Sequence, residues 1–140
     1  MSKRVYKGWE FPFAKPEPPE ERYLKLIACP ETTGYEKATV LLSHIPPGST
    51  SGMHTHPDSD EIMYCVGRGE CVIDGEKVPL ETDSVIVAPM GVEHELRNTS
   101  KTETLKLFCI YIPPLKLSEL LVELAQKTKE YLEKHKEEGE

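Results

Sequence analysis

The segment GSTSGMHTHPDSDE, residues 48 to 61, sets two imidazoles one residue apart and a carboxylate five residues after the second. In an extended chain alternate side chains share a face, so His54 and His56 project together, roughly 7 Å apart along the backbone. Two imidazoles so placed can converge on one ion. Glu61 opens the run EIMYCV, where it shares a face with Met63 and Cys65 while Ile62, Tyr64 and Val66 turn the other way. Further on, APMGVEHELRN supplies His94, with Leu96 and Asn98 on the same face. Three imidazoles and a carboxylate suit Mn, Fe, Co, Ni or Zn far better than Cu(I) or an iron–sulfur cluster. One divalent ion is the expected cofactor, because these groups buried together without it would leave several polar atoms in need of partners.

Residues this far apart in sequence need a scaffold to bring them together. From Lys37 to Ile112 the chain is built of short runs rich in Val, Ile, Leu, Thr and Tyr, each ended by Gly, Pro or Asp. KATVLLSHI, EIMYCV, ECVIDG, EKVPL, SVIVAP, HELRN and TLKLFCIYI read as strands, and PPGSTSG, GRG, DG, PMG and NTSKTE read as the turns between them. Seven or more closely spaced strands predict a sandwich or barrel, not a parallel sheet with crossover helices. Residues 1–35 include WEFPFAKPEPPEERY, where four prolines in eight positions oppose helix and central strand, so this region reads as an N-terminal arm.

Past Pro113 and Pro114, Ser118 is placed to cap a helix running to about residue 137. Leu117, Leu121, Leu124, Thr128, Tyr131 and His135 repeat at spacings of four and three, widened by Leu120, Ala125 and Leu132. Such a stripe is a packing face, against the barrel or against a second subunit. The expected organisation is therefore an arm over 1–35, a barrel over 36–114, and a C-terminal helix over 115–140.

The spacing of the ligand candidates resembles that of the cupins, small β-barrel proteins in which two motifs flank a metal site. Their first motif runs Gly, five residues, His-x-His, three or four residues, Glu, six residues, Gly. Gly48, His54, His56 and Glu61 meet it, whereas Gly67 follows Glu61 after five residues and Gly69 after seven. Counting from Asp60 would restore the spacing to Gly67, so Asp60 is the alternative to Glu61. The second motif runs Gly, five residues, Pro-x-Gly, two residues, His, three residues, Asn. Pro89, Gly91, His94 and Asn98 meet it, with Asp83 at the leading glycine, a substitution that a turn tolerates. The resemblance covers roughly residues 36–112. It implies an all-β fold, the double-stranded β-helix or jelly-roll barrel, with a metal held by His54, His56, Glu61 and His94.

Three neutral histidines and one carboxylate leave a divalent ion a residual charge of +1 and, if octahedral, two unfilled positions. Cupins with this ligand set include dioxygenases, decarboxylases and isomerases, so the resemblance implies a class and not one reaction. The leading expectation is a metal-dependent enzyme, an oxidoreductase among the possibilities, acting on a small carboxylate- or enol-bearing metabolite. The alternative is a non-catalytic ligand-binding or sensing cupin, followed by a purely structural role. No nucleophile elbow or phosphate loop offers a different chemistry.

Composition closes off other classes. The formal charge of −7 opposes nucleic-acid binding, whose phosphates call for a basic surface. No apolar run is long enough to span a bilayer. The first fifteen residues lack the apolar segment and cleavage site of a secretory signal, which places the chain in the cytoplasm. Cys29, Cys65, Cys71 and Cys109 have no CxxC spacing and read as reduced, buried thiols. Met53, Met63 and Met90 read as packing residues. Tyr64 and Tyr111 are expected in the core, with a pocket wall as their alternative. His44 precedes IPPG and could approach the pocket mouth, whereas Arg68, Arg97, Asp58 and His135 are assigned no site role. The aromatic, proline-rich arm and the apolar helical face suggest a homodimer.

Overall fold

The computed structural model describes residues 4–136. Eight strands and one helix follow in chain order: β1 (Tyr23–Ala28), β2 (Thr39–Ile45), β3 (Asp60–Val66), β4 (Gly69–Ile73), β5 (Glu76–Leu80), β6 (Val85–Ala88), β7 (His94–Arg97), β8 (Leu105–Ile112) and α1 (Glu119–Lys134). They form two sheets, one in the order β1-β2-β8-β3-β6 and one in the order β5-β4-β7, with antiparallel pairing throughout. The two antiparallel sheets answer to the sandwich or barrel expected from the strand pattern and to the jelly roll that the resemblance implies. All seven strand candidates are present.

Alternation decides which face each strand buries. On β3 the odd residues Glu61, Met63 and Cys65 are buried, and on β8 Leu105, Leu107, Cys109 and Tyr111 are buried. Register places Met63 beside Cys109 and Glu61 beside Tyr111, so one row across the sheet lines the interior. Leu80, Cys71 and Leu96 of the smaller sheet join the same core. The β4–β5 hairpin turns through Asp74 and Gly75, both at positive φ between Ile73 and Glu76, as a two-residue turn matched to strand twist requires. Pro79 is tolerated because β5 is an edge strand. Gly69 is fixed by space, since a Cβ there would lie 2.4 Å from the carbonyl oxygen of Arg97.

The stretch read as an arm differs from expectation in one respect. Residues 23–28 form β1, paired with β2 from Tyr23–His44 to Ala28–Val40. The prolines end before Tyr23, and the following residues alternate cleanly, with Leu24 and Leu26 buried. β1 is an outer strand, in keeping with prolines that exclude only a central position.

The Ser118 side chain accepts the Leu121 N–H at 3.4 Å and caps α1. The helix stops at Lys134; residue 137, its expected end, lies outside the described residues. Its stripe of Leu121, Leu124, Ala125 and Thr128 is buried within this chain, with α1 against β1. The Tyr131 ring packs 5.0 Å from that of Phe11, and its hydroxyl donates to Glu10 Oε1 at 2.9 Å. The helical face invoked for a partner subunit is thus already covered.

Candidate metal centre

The His-x-His segment lies outside the eight strands, but it runs alongside β7. Ser51 N–H donates to Leu96 O, His54 and His94 exchange both backbone hydrogen bonds at 2.9 and 3.0 Å, and Gly91 N–H donates to His56 O. This ladder fixes His54 directly across from His94. Glu61 reaches the same point from β3 in the facing sheet. Among the described residues, Glu61, 2% exposed, is the only acidic ligand candidate that enters the cluster. Asp60 points outward on the exposed side of β3, where its Oδ1 accepts the Met90 N–H at 2.8 Å. Strand parity separates the two carboxylates.

One ligand atom from each of His54, His56, Glu61 and His94 lies within 4.8 Å of every other. The imidazole ring centres are 4.4 to 5.3 Å apart. His54 Nδ1 lies 2.8 Å from Gly52 O, and His94 Nδ1 lies 3.0 Å from Val92 O. A carbonyl only accepts, so each Nδ1 carries the hydrogen and a neutral ring presents a bare Nε2 to the cluster. Glu61 Oε1 then lies 3.0 Å from His94 Nε2 and 3.2 Å from His56 Nε2. His56 Nε2 is buried and lacks the alignment for a hydrogen bond. Lone pairs gathered around a carboxylate need positive charge, which a divalent cation supplies; the donor set fits such an ion.

The electrostatics of the metal-free cluster point the same way. Burial pulls the His54 imidazole down to about 4, with the neighbouring His94 and His56 adding to the effect. Burial pushes Glu61 up, yet its contacts with His56 and His94 outweigh this and leave the carboxyl at about 2. Burial also pulls His94 down, but Glu61 and the Val92 carbonyl reverse the shift and raise it. Burial and the Glu61 charge push the Cys109 thiol and the Tyr111 hydroxyl well up, so both stay protonated at neutral pH. Neither is a ready thiolate or phenolate competitor for an ion.

The cluster opens on a cavity of about 230 Å³. Met63, Leu96 and Leu107 form apolar wall, Tyr111 stacks edge-on against His56 at 5.0 Å, and Leu120 and Leu121 of α1 close one side. Arg22 lines the same cavity. Sequence reasoning missed it, because the prolines before it dominated the reading of residues 1–35. The signal was the alternation of Arg22, Leu24 and Leu26, which sends all three to one face.

The remaining candidates lie elsewhere. His44 pairs with Lys106 and Tyr23 on the outer side of the sheet and does not line the cavity. Tyr64 is on that outer side too, its hydroxyl bonded to Asp83, which occupies the positive-φ turn position at φ 79°. Cys65 and Met63 are core residues, whereas Met53 and Met90 are exposed, contrary to a packing role. Arg97 is held by Glu95 and Glu70, and Arg68 is exposed. Asn98 is a joint and not a ligand: its Nδ2 donates to Ile45 O and Glu103 O, both at 2.8 Å, and its Oδ1 accepts from Ser100 N–H.

A family model described as "Cupin domain" matches residues 41–111. The chain is 33% identical over 93 residues to polyketide synthase CurC of Streptomyces cyaneus, covering 66% of this chain and 59% of that one. It is 35% identical over 60 residues to an oxalate-binding protein of Thermotoga maritima, covering 42% of this chain and 50% of the relative. The matches therefore span about half to three fifths of these relatives' length. Among solved structures, a predicted oxalate decarboxylase from Thermotoga maritima superposes with a TM-score of 0.70 at 23% identity, covering 79% of this chain and 99% of that one. That likeness is one of fold.

Proposed function

The chain belongs to the cupin domain family, and we propose that it is a metal-dependent enzyme acting on a small metabolite that bears a carboxylate or an enol. One observation carries this reading: three imidazoles, two of them oriented by backbone carbonyls, meet a buried ionised carboxylate at the end of a cavity. His54, His56, Glu61 and His94 would hold one divalent ion, which when bound supplies Lewis-acid chemistry and, if redox-active, access to oxygen chemistry. The chain's own residues do the rest. Met63, Leu96 and Leu107 exclude bulk water around the ligand, and Tyr111 forms part of the wall beside His56. Dioxygenation, decarboxylation and isomerisation are all compatible with this site.

A non-catalytic binding or sensing role is the alternative, favoured by the oxalate-binding relative. Turnover separates the two. With Co(II) in the protein, a panel of small acids and diketones is expected to perturb the visible spectrum saturably, and the best binders to be consumed only by metal-loaded protein. Spectral change without consumption would favour binding alone. An unchanged spectrum across the panel would overturn the open-site reading.

We place the protein in a reducing compartment, the cytoplasm, where its four buried free thiols would remain unpaired; no described helix is long and apolar enough to cross a membrane. We also propose a homodimer, formed through the outer face of the larger sheet and not through α1. Tyr64, Val66, Val85, Val87, Phe108 and Ile112 are exposed there. Register joins Tyr64 to Phe108 and to Val85, and Ile62 to Val87, so the patch is continuous. On a chain of net charge −7, an apolar face is where two like-charged copies can approach. Sedimentation at about 50 μM, enough for a weak dimer, is expected to give two subunits, and a monomer there would reject the interface.

A further inference from the structure

The cavity onto which the metal cluster opens is also lined by a fixed cation. Among the described residues lining it, Arg22 is the sole lysine or arginine. Among the described residues, no carboxylate lies within ion-pair distance of its guanidinium, and its one hydrogen bond is a long contact from Nε to Glu20 O at 3.4 Å. Burial pulls the guanidinium down from its ordinary value, while Tyr111, Glu20, Cys109 and Glu61 push it back up. Glu20 itself is exposed at the mouth, its carboxylate against Gly52, where solvent screens it. Arginine keeps its charge at any working pH, and a partly buried guanidinium without an ionic partner has donors to spare.

We propose that Arg22 is the specificity-determining residue of this site, binding a second acidic group on the ligand, so that the preferred compound is a small dianion with one acidic group at the metal cluster and the other at Arg22. The inference rests on the metal-dependent reading above. Charge supports two-point binding: three neutral imidazoles, one carboxylate and a divalent ion leave +1, and Arg22 adds a second positive charge. Geometry supports it as well. Arg22 enters from the residue immediately before β1, whereas the ligands come from the 48–61 segment, β3 and β7, so the two positive centres approach the cavity from different elements. Ser43, buried and lining the cavity, offers a further hydroxyl, whereas the Ser51 hydroxyl already donates to Gly52 O and accepts the Leu96 N–H. The planar fork of Arg22 fits a carboxylate better than a lysine would.

The test compares malonate with its half-amide, malonamate, on Co(II)-loaded wild type, Arg22→Ala and Arg22→Lys, using acetate as a probe of the metal end alone. Metal content is expected to be equal in all three proteins, because Arg22 is not a ligand. Wild type should prefer malonate over malonamate by about 10- to 100-fold, the value of a charge-assisted hydrogen bond. Arg22→Ala should bring that ratio close to one while acetate still perturbs the cobalt spectrum, and Arg22→Lys should recover part of it. Acetate binding with an unchanged malonate preference in Arg22→Ala would overturn the role of Arg22 and leave the metal centre standing. Failure of wild type to take up cobalt would overturn the metal-dependent reading itself. Equal thermal unfolding of the variants excludes misfolding as the cause of a lost preference.

Discussion

The double substitution His54→Ala, His94→Ala is expected to take the protein from about one bound ion per chain to none measurable. The two residues face each other across the backbone ladder, and each has its ring fixed by a carbonyl, so both bring a preoriented Nε2 to the cluster. Removing both leaves His56 and Glu61, too few donors for a transition-metal ion to displace its water competitively. Because an ion that binds only the native state stabilises it, the loss is visible in unfolding as well. At a thousandfold excess of free ion over Kd the stabilisation is about 4 kcal/mol, so metal should raise the Tm of wild type and leave that of the double variant unchanged. His135→Ala, at the C-terminal end of α1, should retain the ion and serve as the control. Full metal retention by the double variant, measured by elemental analysis, would remove the site assignment.

The second large effect is one of packing. Leu124 is 1% exposed and belongs to the same apolar cluster as Leu24 and Leu26, where α1 lies against β1. Leu124→Ala removes three carbons from a site where α1 is held against β1 of the larger sheet, so the surroundings can collapse only in part. A loss of about 2–5 kcal/mol is expected, read by denaturant unfolding. The substitution should also weaken ligand binding, because the neighbouring Leu120 and Leu121 form one side of the cavity. Leu120→Ala, at a residue 37% exposed, should cost under about 1 kcal/mol. If Leu124→Ala costs no more than Leu120→Ala, α1 does not pack as described.

Strand parity explains why so much was legible in the sequence. A period of two tells which residues of EIMYCV face inward, and the same parity separates Glu61 from Asp60 once the strand is placed. The cap at Ser118 and the turn at Asp83 are local features, and each is found where side-chain chemistry puts it. What was misread depends on contacts between distant segments. Nothing local in the α1 stripe says whether its apolar side meets this barrel or another subunit. Arg22 becomes a cavity residue only because β1 adds to the edge of β2, a pairing between residues 12 to 21 apart. The proline cluster just before it gave the opposite impression, since composition averages over a window and the change from proline-rich to alternating chain is abrupt. His54 and His56 illustrate an intermediate case: their convergence was legible, but it comes from bridging to β7 and not from a strand of their own.

X-ray absorption at the edge of the bound metal reports the donors around the ion whatever the reaction. With His54, His56, Glu61 and His94 as ligands, the shell is expected to hold nitrogen and oxygen donors at about 2.0–2.2 Å, with the multiple-scattering signature of three imidazoles and no sulfur near about 2.3 Å. A sulfur shell, placing the ion on Cys71 or Cys109, or a shell with at most one imidazole, would contradict that ligand set.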